Sequence, residues 1–233
     1  MSGRAVDAIL VARDIYARNA TLLTERLPRH PFQVAGSSSR GVRVNEPGQA
    51  PTLLQAIMET SAQMRGLGSY PITVTEVPEE VAMVVTGEDG KPKAPDRIMR
   101  SLLERSQASA AILVLSSLNI CWNRFAICKE AAHTIMEDGQ GVRATSVEQQ
   151  IKMAYSMSPD QWLARQLTGE EFAYVIATEL LLPWADREDF LRRHRTGEPT
   201  TELARSYWVP KVIVDMFFET PFGQISNDVW ADS

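Results

Sequence analysis

The chain reads as an α+β protein: helices around a small β-sheet. Three observations predict this. Several stretches place apolar residues at helical spacing, beginning with Val6, Ile9, Leu10, Ala12, Ile15 and Tyr16. Three short runs have strand length: "ITVTEV" and "VAMVV" are rich in β-branched residues, and "AAILVLSS" is a continuous apolar run. No internal repeat or low-complexity tract interrupts the order.

Residues 4–26 form the first expected helix, within an N-terminal region of residues 1–35. "GSSSRGVRVNEPGQAP", 36–51, is rich in Gly, Ser and Pro and reads as a linker or mobile loop. The main domain is expected over 52–222. It opens with a helix in "TLLQAIMETSAQMRGLG", ending at Gly66 or Gly68. The strands "ITVTEV" and "VAMVV" follow, the second closed by the turn "GEDGKPKAP". "DRIMRSLLERSQ", 96–107, reads as a helix with Asp96 at its N-cap. "AAILVLSS", 110–117, is a continuous apolar strand, and a helix from about 123 to 137 follows it directly. Further helices are expected over "SVEQQIKMAYS", over 169–182, and as a small pair around "TELARSYWVPKVIVDMFFE". Residues 223–233 read as a C-terminal tail.

Composition sets the outer limits. A chain of 233 residues can bury one sizeable core. Its net charge of −5 disfavours free-standing nucleic-acid binding as the main activity. The two cysteines, Cys121 and Cys128, lack the spacing of a disulfide scaffold or a CxxC motif, which fits a reducing cytoplasm. "MSGRAVDAILVARDIYARNA" mixes charges into its apolar residues, so no signal peptide is expected, and no apolar run approaches the ~20 residues of a membrane span.

The chemistry concentrates in "RFAICKEAAHTIMEDG", 124–139. A zinc-hydrolase helix carries His-Glu-x-x-His: two imidazoles one turn apart hold the metal, and the Glu takes a proton from metal-bound water. Glu130 and His133 stand at two of these positions, and Lys129 stands at the first His. Residues i and i+4 share a helix face, so Lys129 and His133 project together, with Glu130 about 100° round. An isolated Glu-x-x-His also occurs on ordinary helices, and Phe125, Cys128, Ala132 and Ile135 give this one a plain apolar stripe. A third ligand would come from another helix, where "TGEEFAYVIATELLLP" offers Glu170 and Glu171. Thr168 and Glu171 have the spacing of a capping box, which occupies Glu171. Glu170 is freer to face the site, although an acid in a first helical turn is also favoured there without any ligand.

Three segments in order resemble the ImmA/IrrE metallopeptidase family. "LVLSSLNICWNRFAICKEAAH" is similar to its strand followed by Asn-x-x-x-x-Arg-Phe and His-Glu-x-x-His. "EEFAYVIATELLLP" is similar to its Glu-x-x-Ala-Asn-x-Phe-Ala-x-Glu-Leu-Leu-Met-Pro, and "LARSYWVP" to a small helix pair near its end. The likeness covers roughly 50–220. It implies a zincin-like metallopeptidase domain with a C-terminal small helix pair and zinc as cofactor. It also implies Glu130 as general base, His133 and Glu170 as metal ligands, and Arg124 and Phe125 at the helix entry. The implied partner is a DNA-binding transcriptional repressor, cleaved to relieve repression, in a regulator of phage or conjugative elements.

The sequence departs from that pattern at Tyr174, Ile176 and, decisively, Lys129. An ammonium is a donor only and cannot ligate a metal. With Glu130 and Glu170 near, Lys129 is expected to stay charged and occupy the cation's place, leaving zinc absent or weakly held. Cys128 lies about 140° round the helix from His133 and is a poor substitute; Glu137, Asp138 or a loop carboxylate remain as alternative ligands. His30 and His194 sit in polar segments and read as surface residues. Three functions follow: a pseudoprotease that binds a repressor or similar partner, an active zinc endopeptidase, or a DNA-binding regulator. The last would use the C-terminal helix pair and the basic residues Arg187, Arg192, Arg193, Arg195, Arg205 and Lys211.

Overall fold

The computed structural model describes residues 4–18, 53–78, 101–136, 155–182 and 184–231. The expected linker 36–51, the strand "VAMVV", its closing turn, most of the helix over "SVEQQIKMAYS", and His30, Glu137 and Asp138 lie outside these residues.

Helix α1, Ala5–Arg18, buries Ala5, Ala8, Ile9, Ala12 and Ile15 on one face, while Leu10 turns outward. Ile9, Ala12 and Ile15 belong to the stripe expected from the sequence, Val6 and Tyr16 lie at its half-buried margin, and Ala5 and Ala8 take the inner face in place of Leu10. Helix α2, Leu53–Met64, contributes Leu53, Leu54, Ala56 and Ile57 to the same core. Strands β1, Ile72–Val77, β2, Ser101–Arg105, and β3, Ala110–Leu115, form a mixed sheet in the order β1-β3-β2. β3 is parallel to β1, with Ile72 opposite Ala110, and antiparallel to β2, with Leu103 opposite Ile112. The most apolar strand therefore takes the central place, where both of its edges are paired.

Residues 101–105 correct the expected helix over 96–107. "SLLER" has no strong strand preference of its own, but β3 offers a free edge. Backbone pairing to that edge, with Leu103 against the core, outweighs local propensity.

Helix α3, Ile120–His133, begins earlier than expected because Asn119 caps it. The Asn119 side chain accepts hydrogen bonds from the Cys121 and Trp122 amides, each at 3.1 Å. From Arg124 to His133 every residue of α3 is buried. The helix lies between the sheet on one side and helix α5 on the other. After the short helix α4, Pro159–Ala164, comes α5, Gly169–Leu181. Its Thr168 cap forms the expected reciprocal box with Glu171. Tyr16 of α1 donates to the Leu180 carbonyl at 2.6 Å, which docks the N-terminal helix onto α5.

Helices α6, Trp184–Arg195, α7, Thr200–Tyr207, α8, Lys211–Glu219, and α9, Pro221–Ala231, complete the described chain. The last corrects the reading of 223–233 as a tail. Phe222, Ile225 and Trp230 are buried, and the Trp230 indole donates to Glu179 at 2.8 Å. Glu179 is fully buried and also accepts from Ser226 at 2.6 Å and Arg187 at 3.2 Å. A buried carboxylate needs such a set of donors. The set ties α5, α6 and α9 together. Among the described residues, no helix is long and apolar enough to cross a membrane.

Candidate functional site

The site forms where α3 crosses the start of α5. One turn separates Lys129 from His133, so both side chains leave the same face of α3 and meet Glu170. Lys129 Nζ lies 2.7 Å from Glu170 Oε2 and 3.1 Å from Glu130 Oε1. His133 Nε2 lies 3.3 Å from the other oxygen of Glu170, in a contact without the alignment of a full hydrogen bond. Glu130 accepts a hydrogen bond from the Ser101 hydroxyl of β2, at 2.7 Å. Lys129, Glu130, His133 and Glu170 are 9, 6, 3 and 7% exposed.

Thus the structure brings together all four residues named from the sequence. It also separates the two adjacent acids as expected. Glu171 turns to the Thr168 amide and to Arg165, each at 2.7 Å, and leaves Glu170 for the site. Lys129 and Glu130 on α3 and Glu170 in the first turn of α5 make an ionic junction between two core helices, to which β2 adds the Ser101 hydroxyl.

Electrostatics follow from the geometry. Burial works to lower the Lys129 pKa, but Glu130 and Glu170 outweigh it, and the value is raised above the ordinary lysine range. Burial alone would raise the Glu170 carboxyl. The His133 contact and the Lys129 charge reverse this and hold it at about 2. The junction is therefore a charged one: an ammonium between two carboxylates.

Zinc chemistry asks for three ligating side chains with an open fourth position. His133 and Glu170 are suited to ligate, and Glu130 to act as base. The fit fails at the cation's own position, which the ammonium of Lys129 fills at hydrogen-bond distance from both carboxylates. Among the described residues, no three His, Cys, Asp or Glu side chains are disposed to hold a metal ion. Cys128 is fully buried, and burial pushes its thiol up to about 12, so it supplies no thiolate.

Three contributors were not legible in the sequence. Ser101 and Arg105 lie on the strand that was expected to be helical. Arg105 donates to the His133 carbonyl at 2.8 Å and so closes the end of α3. Arg124, expected only as a helix-entry residue, is buried and donates to the Tyr207 and Trp208 carbonyls at 2.8 and 3.0 Å. It thereby fastens the site helix to the C-terminal end of α7, where Trp208 adopts a left-handed cap with φ 54°. A cation at a helix C-terminus is favoured by the helix dipole.

Of the six C-terminal basic residues, Arg195 is exposed and the other five have acidic neighbours. Arg187 is buried against Glu179, and Arg192, Arg193, Arg205 and Lys211 each contact an acid: Asp189, Glu198, Glu202 and Asp215. His194, expected on the surface, is half-buried and stacks on Phe218 with ring centres 3.6 Å apart. Compared with protein-family models, with curated proteins and with solved structures, the chain matches none.

Proposed function

We propose that this protein is a regulator with an ImmA/IrrE-like, zincin-like frame, whose metal site is degenerate. It acts by holding a protein partner, a DNA-binding transcriptional repressor or a similar regulator, without cleaving it. The observation that carries this reading is the Lys129 ammonium, 2.7 Å from Glu170 and 3.1 Å from Glu130. The crossing of α3 and α5 brings Glu130, His133 and Glu170 together, which supports the reading of a hydrolase-like frame. The lysine then removes the step that needs a metal-activated water. A cytoplasmic setting belongs to the same proposal.

The test is direct. The purified protein is mixed with a candidate helix-turn-helix repressor, and the mixture is followed by size-exclusion chromatography and mass spectrometry. The expected result is a complex containing intact repressor. Cleavage of the repressor that stops on chelation would contradict it. That outcome would select the second reading, an active zinc endopeptidase, which is favoured by one observation: buried His133 Nε2 lacks an aligned hydrogen bond beside Glu170. Direct DNA binding through the C-terminal helix pair has less support, because the basic side chains there are engaged with acids.

A further inference from the structure

We infer that Lys129 is the resident cation of this site, that the chain excludes divalent metal for that reason, and that one substitution, Lys129→His, converts the junction into a zinc site. The inference shares the hydrolase-like reading of the site with the proposed function but is independent of any partner.

Glu130 and Glu170 are two carboxylates withdrawn from water, and each needs a cation or a set of donors. Ser101 gives Glu130 one donor. Lys129 gives both carboxylates a common cation. A divalent ion entering the same space would meet the ammonium within a few ångströms, in a low-dielectric setting where like charges repel strongly. Nor can the lysine readily step aside. Its side chain is nearly sealed between α3 and α5, and leaving would abandon both carboxylates.

The remaining parts are already in place. His133 sits one turn along the same helix face, and its Nε2 points into the junction without an aligned partner. Glu170 faces it from α5, fixed by the capping of that helix at Thr168. An imidazole at position 129 would restore the paired-histidine spacing, with Glu170 as third ligand and Glu130 beside it.

The experiment titrates zinc alone, and cobalt alone as a spectroscopic probe, into the full chain. Four proteins are compared: the unaltered chain, Lys129→His, Lys129→His combined with His133→Ala, and His133→Ala. Circular dichroism reports folding in each. The unaltered chain is expected to bind zinc substoichiometrically and to give no tetrahedral cobalt spectrum. Lys129→His is expected to bind one zinc per chain, at least about a hundredfold more tightly than the unaltered chain, since a buried repulsive charge has been replaced by a ligand. The added His133→Ala change should abolish the gain. Stoichiometric zinc in the unaltered chain that disappears with His133→Ala would overturn the inference. So would a folded Lys129→His that gains no metal. Should Lys129→His fail to fold, the unaltered chain and His133→Ala still decide the exclusion claim. Partner capture is a separate readout, so failure of the proposed function leaves this result distinguishable.

Discussion

Lys129 places its ammonium between two carboxylates that are almost wholly out of water, and this arrangement sets the stability of the site. Removing one member of a buried ionic group leaves the others uncompensated. Lys129→Ala should therefore lower unfolding stability by about 3–5 kcal/mol in denaturant titration. Acidification should do related damage through Glu170. Its folded pKa is depressed, so its stabilising effect is fully present above the ordinary carboxylate value of 4.5 and is lost as pH falls toward about 2. That displacement corresponds to about 3 kcal/mol. Lys129 runs the other way: its raised value contributes stability below 10.5, which is lost as the pH climbs through the folded value. Unfolding followed against pH should show both flanks, and the acid flank should shrink in Glu170→Gln.

At the scale of elements, α9 is the least expected feature and the most dependent on particular contacts. Its Gly223 has no room for a side chain, because an added Cβ would lie 2.0 Å from the Phe217 carbonyl oxygen. Gly223→Ala should therefore cost about 1–3 kcal/mol by forcing α8 and α9 apart, measured by thermal or chemical unfolding. Trp230→Phe keeps an aromatic ring but removes the donor to buried Glu179, and should cost about 1–3 kcal/mol. These contacts explain what the sequence could and could not reveal. Helices α1, α3 and α5 were legible because local signals agree with their burial: an apolar stripe, a strand leading straight into the site helix, and the Thr168–Glu171 box. α9 announces itself only through Thr220 before Pro221, an Asn/Ser/Thr-type cap followed by Pro at the first helical position. Its partners, Glu179 and Phe217, are brought to it by the fold. β2 was misread for the same reason. Leu102, Leu103, Glu104 and Arg105 suit a helix, and only the free edge of β3 makes them a strand. Ser101 was lost with it. The four central residues came to notice because Lys129, Glu130 and His133 stand at the spacing of His-Glu-x-x-His on α3 and the box at Glu171 left its neighbour Glu170 free, while their roles rested on the family resemblance.

Across the whole molecule, the sheet, α3 and α5 form successive supports for one charged junction. Arg124 and Glu179 then fasten that unit to the C-terminal helices. The account's central claim is that a charged lysine holds the position a metal would take. Side-chain nitrogen NMR of the lysine ammonium groups at pH 7 tests it most directly. With Lys129→Ala used to assign the signal, the account predicts a protonated Lys129 ammonium that exchanges with solvent far more slowly than the surface lysines. It also predicts through-space contacts to His133, both unchanged by added zinc. An ammonium that exchanges as freely as Lys211, together with a His133 ring whose resonances shift on stoichiometric zinc binding, would contradict it.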